Sequence, residues 1–187
     1  MLKNLKIDEI ARRVFATNGV DALLSAIGVL SGTSSISHSE NPNVYLGAVL
    51  GGALSLGLLS GFLGVMITER SERLKELKEL EKSMMKKLDN TMYARVVNYA
   101  SIYVALWSLL GSLGLPLIAI TPLFLALRGL LVTHQAVLWS LVMAHIELFL
   151  LGLYIGKDTS PIRIALQYLS LGIAAHIIAS MLGAIIS

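Results

Sequence analysis

From Tyr45 to Thr68 the chain runs without a single charged side chain, and four other stretches, about 15–33, 93–116, 135–156 and 162–186, are nearly as apolar. A helix needs about 20 such residues to cross the hydrocarbon of a bilayer. Five stretches of that length predict an all-α integral membrane protein with five transmembrane helices in a single membrane domain, 1–187. Composition agrees: charged residues make up 14% and hydrophobic residues 55%, where a soluble domain carries about 25% charged. The absence of Cys excludes disulfides and thiolate metal sites. No cleavable signal peptide is visible, because the basic start runs into Asp8 and Glu9. Residues 1–13 read as a short amphipathic helix at the membrane surface, with Leu2, Leu5 and Ile10 on its apolar side. The first span is interrupted by Asn18, Gly19 and Asp21, which predicts an irregular backbone there. Ser34 to Asn43 read as a polar loop, and Tyr45, Tyr93 and Tyr154 as interfacial anchors. Pro116 and Pro122 punctuate the end of the third span, and 123–134 read as an irregular or interfacial connector.

Between spans two and three lies the one long charged run, 69–91. It lacks Gly and Pro, so a helix is predicted. Leu74, Leu77, Leu80, Met84 and Leu88 recur every three or four residues as an apolar stripe, and Glu69, Glu72, Glu76 and Glu79 line another face. Two readings of the acidic face are open. One is a solvated face braced by pairs such as Glu69–Arg73 and Glu79–Lys82. The other is a row of carboxylates that collects hard cations.

Lys and Arg sit unevenly: four before the first span, none in the loop after it, eight from Arg70 to Arg95, then Arg128 alone, then Lys157 and Arg163. By the positive-inside rule the N-terminus and the charged helix are cytoplasmic and the C-terminus is outside. The expected location is a prokaryotic cell membrane, with the bilayer as a partner and no nucleic acid. The four-residue glycine spacings Gly28/Gly32, Gly47/Gly51, Gly57/Gly61 and Gly152/Gly156 suit close helix packing. Most are expected within the chain, and one is a candidate face for a homodimer.

Four ionisable residues fall inside spans: Asp21, His145, Glu147 and His176. A charge there costs about 2.5–3.5 kcal/mol on insertion scales. For the histidines a satisfied structural role is the simpler expectation; for Asp21 and Glu147 an ion or proton path is. Asp, Glu and His together suit a borderline divalent cation such as Fe²⁺ or Mn²⁺, although His145 and Glu147, two residues apart, do not share a helix face. Nothing points to an enzyme or to a bound cofactor: there is no Cys nucleophile, and no spacing selects Ser140 with His145 or His176 as a hydrolase pair.

Several words, in order, resemble the vacuolar iron transporter family. Val20-Asp21-Ala22-Leu23-Leu24-Ser25 is similar to its N-D-G-L-x-T in span one. Ser55-Leu56-Gly57 and Gly61-Phe62-Leu63 resemble its S-M-G and G-Y-L in span two, and Glu69-Arg70-Ser71-Glu72 its K-S-E. Leu115-Pro116-Leu117 and Leu148 to Gly152 resemble its L-P-L and L-F-x-x-G. The resemblance implies a five-span homodimeric transporter that moves Fe²⁺ or Mn²⁺ out of the cytoplasm, with proton exchange as one possible coupling. It carries metal roles onto Asp21 and onto Glu69, Glu72, Glu76 and Glu79. The family's span-two methionine falls on Leu56 or Gly61, its glutamate on Ala48 or Ala53, and its acidic residue near position 14 on Val14. Either His145, Glu147 and His176 replace these ligands or this chain does something else. The rival expectation is a non-transporting scaffold or regulator whose charged helix docks a partner.

Overall fold

The computed structural model describes residues 7–37, 39–88 and 91–186, without the Tyr93 side chain. Among these every regular element is helical. In hydrocarbon each backbone N–H and C=O must be satisfied inside the protein, and a helix does that within one segment. Five helical stretches are long and apolar enough to cross a membrane: Ile7–Ile36, Pro42–Met84, Ala94–Ala119, Thr133–Gly156 and Pro161–Ile186.

α1 (Ile7–Ile36) is one unbroken helix of 30 residues. The expected surface helix is therefore not separate: residues 7–13 are the first turns of the span, and Ile7 and Ala11 are buried. Leu2 and Leu5 lie outside the described residues. Nor does Asn18-Gly19 break the helix, because Gly19 faces Leu115, Leu151 and the backbone of Gly111, and packing outweighs the roughly 1 kcal/mol helix penalty of one glycine. The loop that follows is shorter than expected, since α1 runs to Ile36 and α2 (Pro42–Leu54) starts at Pro42. Asn41 caps α2, its side chain accepting from the Asn43 N–H at 3.0 Å, with Pro42 in the first turn. Tyr45 is not a lipid-facing anchor. It is buried and its hydroxyl donates to the Ser37 carbonyl at 2.8 Å.

α2 continues through a π-helical segment (Ser55–Gly64) into α3 (Val65–Met84), a single path of 43 residues. At about 1.5 Å per residue that is roughly twice the hydrocarbon thickness, so the charged half of α3 extends beyond it. α3 ends at Met85, which is left-handed (φ 50°). The leucine stripe is not a buried face: Leu77 is buried, but Leu74, Leu80 and Met84 are exposed. The face that packs on α4 (Met92–Leu109) centres on Arg73 and Leu77. α4 leads through a second π segment (Leu110–Gly114) into α5 (Leu115–Ala119). The expected irregular connector is helical in its first half, as α6 (Thr121–Leu127), and Gly129 (φ 72°) turns the chain after it. Pro122 occupies the first turn of α6, where a missing N–H costs nothing. Pro116 follows the second π segment within the continuous helix Ala94–Ala119, where it cannot donate to the preceding turn. α7 (Thr133–Gly156) and α8 (Pro161–Ile186) complete the bundle.

α1 is central, packing against α2, α4, α5, α7, α8 and the second π segment. Its own Leu23, Ile27 and Leu30 share one core cluster with Ile120, Leu123 and Leu148 from the other helices. Glycine sets the closest approaches. A Cβ on Gly61 would strike Ser112, one on Gly111 would strike the Phe15 carbonyl, and one on Gly156 would come within 2.7 Å of the Pro161 Cα. Gly57/Gly61 and Gly152/Gly156 thus pack within the chain, whereas Gly47 and Gly51 face open space.

Candidate functional site

Asp21 stands at the middle of α1 and is exposed in the single chain. Beside it is a small cavity of about 50 Å³ where α1 meets both π segments. Asn18, Asp21, Ser60 and Ser112 supply its polar atoms, and Ala22, Leu56 and Gly61 the rest of its wall. Gly61 of the neighbouring span lines the opening, and α1 runs unbroken beside it. Asn18 and Asp21 are three apart and share a face. The Asn18 amide donates to the Ser108 hydroxyl, and Ser112 donates to the Ser108 carbonyl at 2.9 Å. This fixes the two side chains that flank the carboxylate and leaves Asn18 Oδ1 as an acceptor. The donor atoms are then all oxygen: one carboxylate, one amide and two hydroxyls. Such a set suits Mn²⁺, Mg²⁺ or Ca²⁺ better than ions that prefer imidazole. The volume admits one ion with a water, since a water needs about 10–15 Å³ of such space.

The other predicted metal residues are not gathered around Asp21. Among the described residues no three His, Asp or Glu side chains come together to hold an ion, so the shell completed by His145, Glu147 and His176 does not form. Glu147 is buried at 9% exposure on α7, and neither carboxylate oxygen has a hydrogen-bond partner. His145 turns instead to α8, where its ring meets that of His176 with centroids 6.1 Å apart.

The acidic stripe divides. Arg73, 6% exposed, donates Nε to Glu69 at 2.9 Å and Nη1 to Glu76 at 3.2 Å. The spacings of four and three bring both carboxylates back onto one guanidinium. Two of the four glutamates are therefore committed to an ion pair, as the braced-face reading has it for Glu69. Glu72 and Glu79 are exposed. The expected Glu79–Lys82 pair does not form; the ion pairs among the described residues are those of Arg73 and one between Arg12 and Asp158 at 3.2 Å.

Sequence reasoning found Asp21 but missed Asn18, Ser60, Ser108 and Ser112 as its surroundings. Ser108 and Ser112 lie four apart in an apolar span, a polar pair on one helix face that meets Asn18 of α1 through Ser108 and lines the cavity beside Asp21 through Ser112. The comparison with known proteins adds nothing to this: no family model and no characterised protein matches the chain.

Proposed function

We propose that the chain moves a divalent cation, Fe²⁺ or Mn²⁺, out of the cytoplasm, with Asp21 as its ligand within the membrane and Glu72 and Glu79 as capture groups at the cytoplasmic end. The observation that carries this reading is the cavity at the midpoint of α1, where the Asp21 carboxylate stands beside the oxygen-bearing side chains of Asn18, Ser60 and Ser112 and a cation is its natural partner. Its all-oxygen donor set favours Mn²⁺ of the two. A homodimer fits the same face. Asp21 is exposed in one chain, as are Leu56, Leu59 and Leu63 on the first π segment, and a second copy would shield the carboxylate from lipid. Proton exchange is the coupling proposed.

The test is uptake of Mn²⁺ and Fe²⁺ into proteoliposomes, measured in both directions with and without a proton gradient. Asp21→Asn keeps size and hydrogen bonding, and its flux is expected to fall to the protein-free background. Wild-type rates in Asp21→Asn, or no metal flux through the wild type, would overturn the reading. A second reading is favoured by the outer half of α3, where Leu74, Leu80, Met84 and Met85 are exposed beyond the apolar span. There the protein is a scaffold and α3 docks a partner helix. Metal flux separates the two.

A further inference from the structure

His145 on α7 and His176 on α8 are held from behind and meet in front. The His145 Nδ1 lies 2.7 Å from the Leu141 carbonyl oxygen. A carbonyl only accepts, so Nδ1 carries the hydrogen and Nε2 keeps its lone pair. The Cδ2–Nε2 edge of the ring lies on Gly172 of α8, where a Cβ would stand 3.1 Å from Cδ2 and 3.4 Å from Nε2. Gly172 is one helical turn before His176, so this lone pair is directed at the α8 face that carries the second imidazole. His176 is fixed from the α1 side, its Nδ1 2.6 Å from the hydroxyl of Ser31, which is fully buried. Its Nε2 is thereby turned away from α1.

The ring centroids are 6.1 Å apart and the planes lie at 79°. Two metal–nitrogen bonds of about 2 Å each, with the two ring radii, reach about 6 Å with the ion in line between the rings, so a tetrahedral ion draws the two rings somewhat closer than they stand here. An imidazole that donates Nδ1–H to a backbone carbonyl, as His145 does, is the usual posture of a metal-ligating histidine. Both rings line a cavity of about 470 Å³ whose other walls are apolar. His176 also lines a second cavity of about 590 Å³, which is polar where Ser34, Ser39, Glu40 and His134 approach it. The histidine pair thus sits between a dry pocket and a polar vestibule on the Ser37–Asn41 side.

We propose that His145 and His176 form a two-imidazole site for a late first-row transition ion of the Zn²⁺ class, entered from this vestibule, with water completing the coordination. Imidazole nitrogen selects Zn²⁺, Ni²⁺ and Cu²⁺ over Mn²⁺, which sets the site apart in ligand type from the oxygen donors at Asp21. The proposal does not depend on transport through Asp21.

Co²⁺ serves as the spectroscopic probe and Zn²⁺ as its competitor, added to the purified full chain in detergent. One Co²⁺ per chain is expected, with visible bands of nitrogen coordination that Zn²⁺ abolishes. His145→Gln and His176→Gln are each expected to weaken binding roughly 100-fold, and Ser31→Ala about tenfold. His38→Gln/His134→Gln is expected to bind as the wild type does. In the unmodified chain, Zn²⁺ should protect His145 and His176 from diethylpyrocarbonate, a readout that needs no variant to fold. The proposal is overturned if the wild type shows no Co²⁺ bands, if His145→Gln/His176→Gln binds undiminished, if the ion leaves with His38 and His134, or if Zn²⁺ leaves the modification of His145 and His176 unchanged.

Discussion

Both carboxylate oxygens of Glu147 are buried without a partner, and so is the Ser140 hydroxyl two turns earlier on the same face of α7. That face packs on α1: Leu151, one turn after Glu147, touches the position a Gly19 side chain would fill. A polar group buried without a hydrogen bond costs about 1–3 kcal/mol on protein mutational data. Glu147→Met is therefore expected to raise thermal stability in detergent by about that amount, read as a higher unfolding midpoint. A lower midpoint would mean that the carboxyl has a partner, an ion or a water, in the working protein. The contrast with Asp21 is instructive. Both carboxylates were legible in the sequence as charges in apolar runs, but sequence spacing does not say which faces oxygen donors and which faces core. That depends on Ser60 and Ser112, brought in from other spans. The His145–His176 pair was hidden for the same reason, its members being 31 positions apart.

At the scale of elements, the two π segments bring spans two and three against α1. Gly111 meets the Phe15 carbonyl, a backbone atom that cannot rotate away. Gly111→Ala is expected to destabilise by about 1–3 kcal/mol through overpacking. Gly47→Ala, where the added methyl meets nothing within the chain, is expected to leave the unfolding midpoint of the monomer unchanged. An unaltered Gly111→Ala midpoint would refute this packing. In α3, Glu69→Gln removes the nearer partner of a buried guanidinium and is expected to cost about 1–3 kcal/mol. Glu72→Gln/Glu79→Gln touches no ion pair and should leave stability alone while weakening Mn²⁺ binding. Equal stability losses in the two variants would contradict the division of the stripe. That there are five long apolar helices was legible, because length and apolarity alone define them, but their bounds were less so: the first starts at Ile7 rather than near 15, and the second runs on to Met84 rather than ending near 68. The π turns were not, because no composition rule distinguishes a widened turn from an α-helical one. The continuity of α2 and α3 was also missed, since the change from apolar to charged at Glu69 marks where hydrocarbon would end, not where the helix does.

For the whole molecule the open question is which end faces the cytoplasm. Two contacts define the ends. Arg12 pairs with Asp158, which puts the start of α1 beside the α7–α8 turn. Thr133 donates to the Glu40 carbonyl at 2.5 Å, which puts the start of α7 beside the loop after α1. The α3–α4 turn falls at the Arg12 end, since α1 and α4 pack through Ile7, Ala11, Ala100 and Val104. In sequence terms every Lys and Arg except Arg128 belongs to that end, so it is the end expected in the cytoplasm. The chain has no Cys, so single cysteines report position without background. Ser83→Cys and Asp158→Cys should react with an impermeant maleimide only from the cytoplasmic side, and Ser39→Cys only from outside. The three reporters distinguish two kinds of error. If all three reverse together, the five-span bundle stands and the charge argument fails. If Ser83→Cys and Asp158→Cys react from opposite sides, the bundle itself does not cross the membrane in this way. An Arg12→Ala background separates the ion pair from the topology. An exposed pair contributes at most about 1 kcal/mol, so its loss should leave the labelling pattern unchanged.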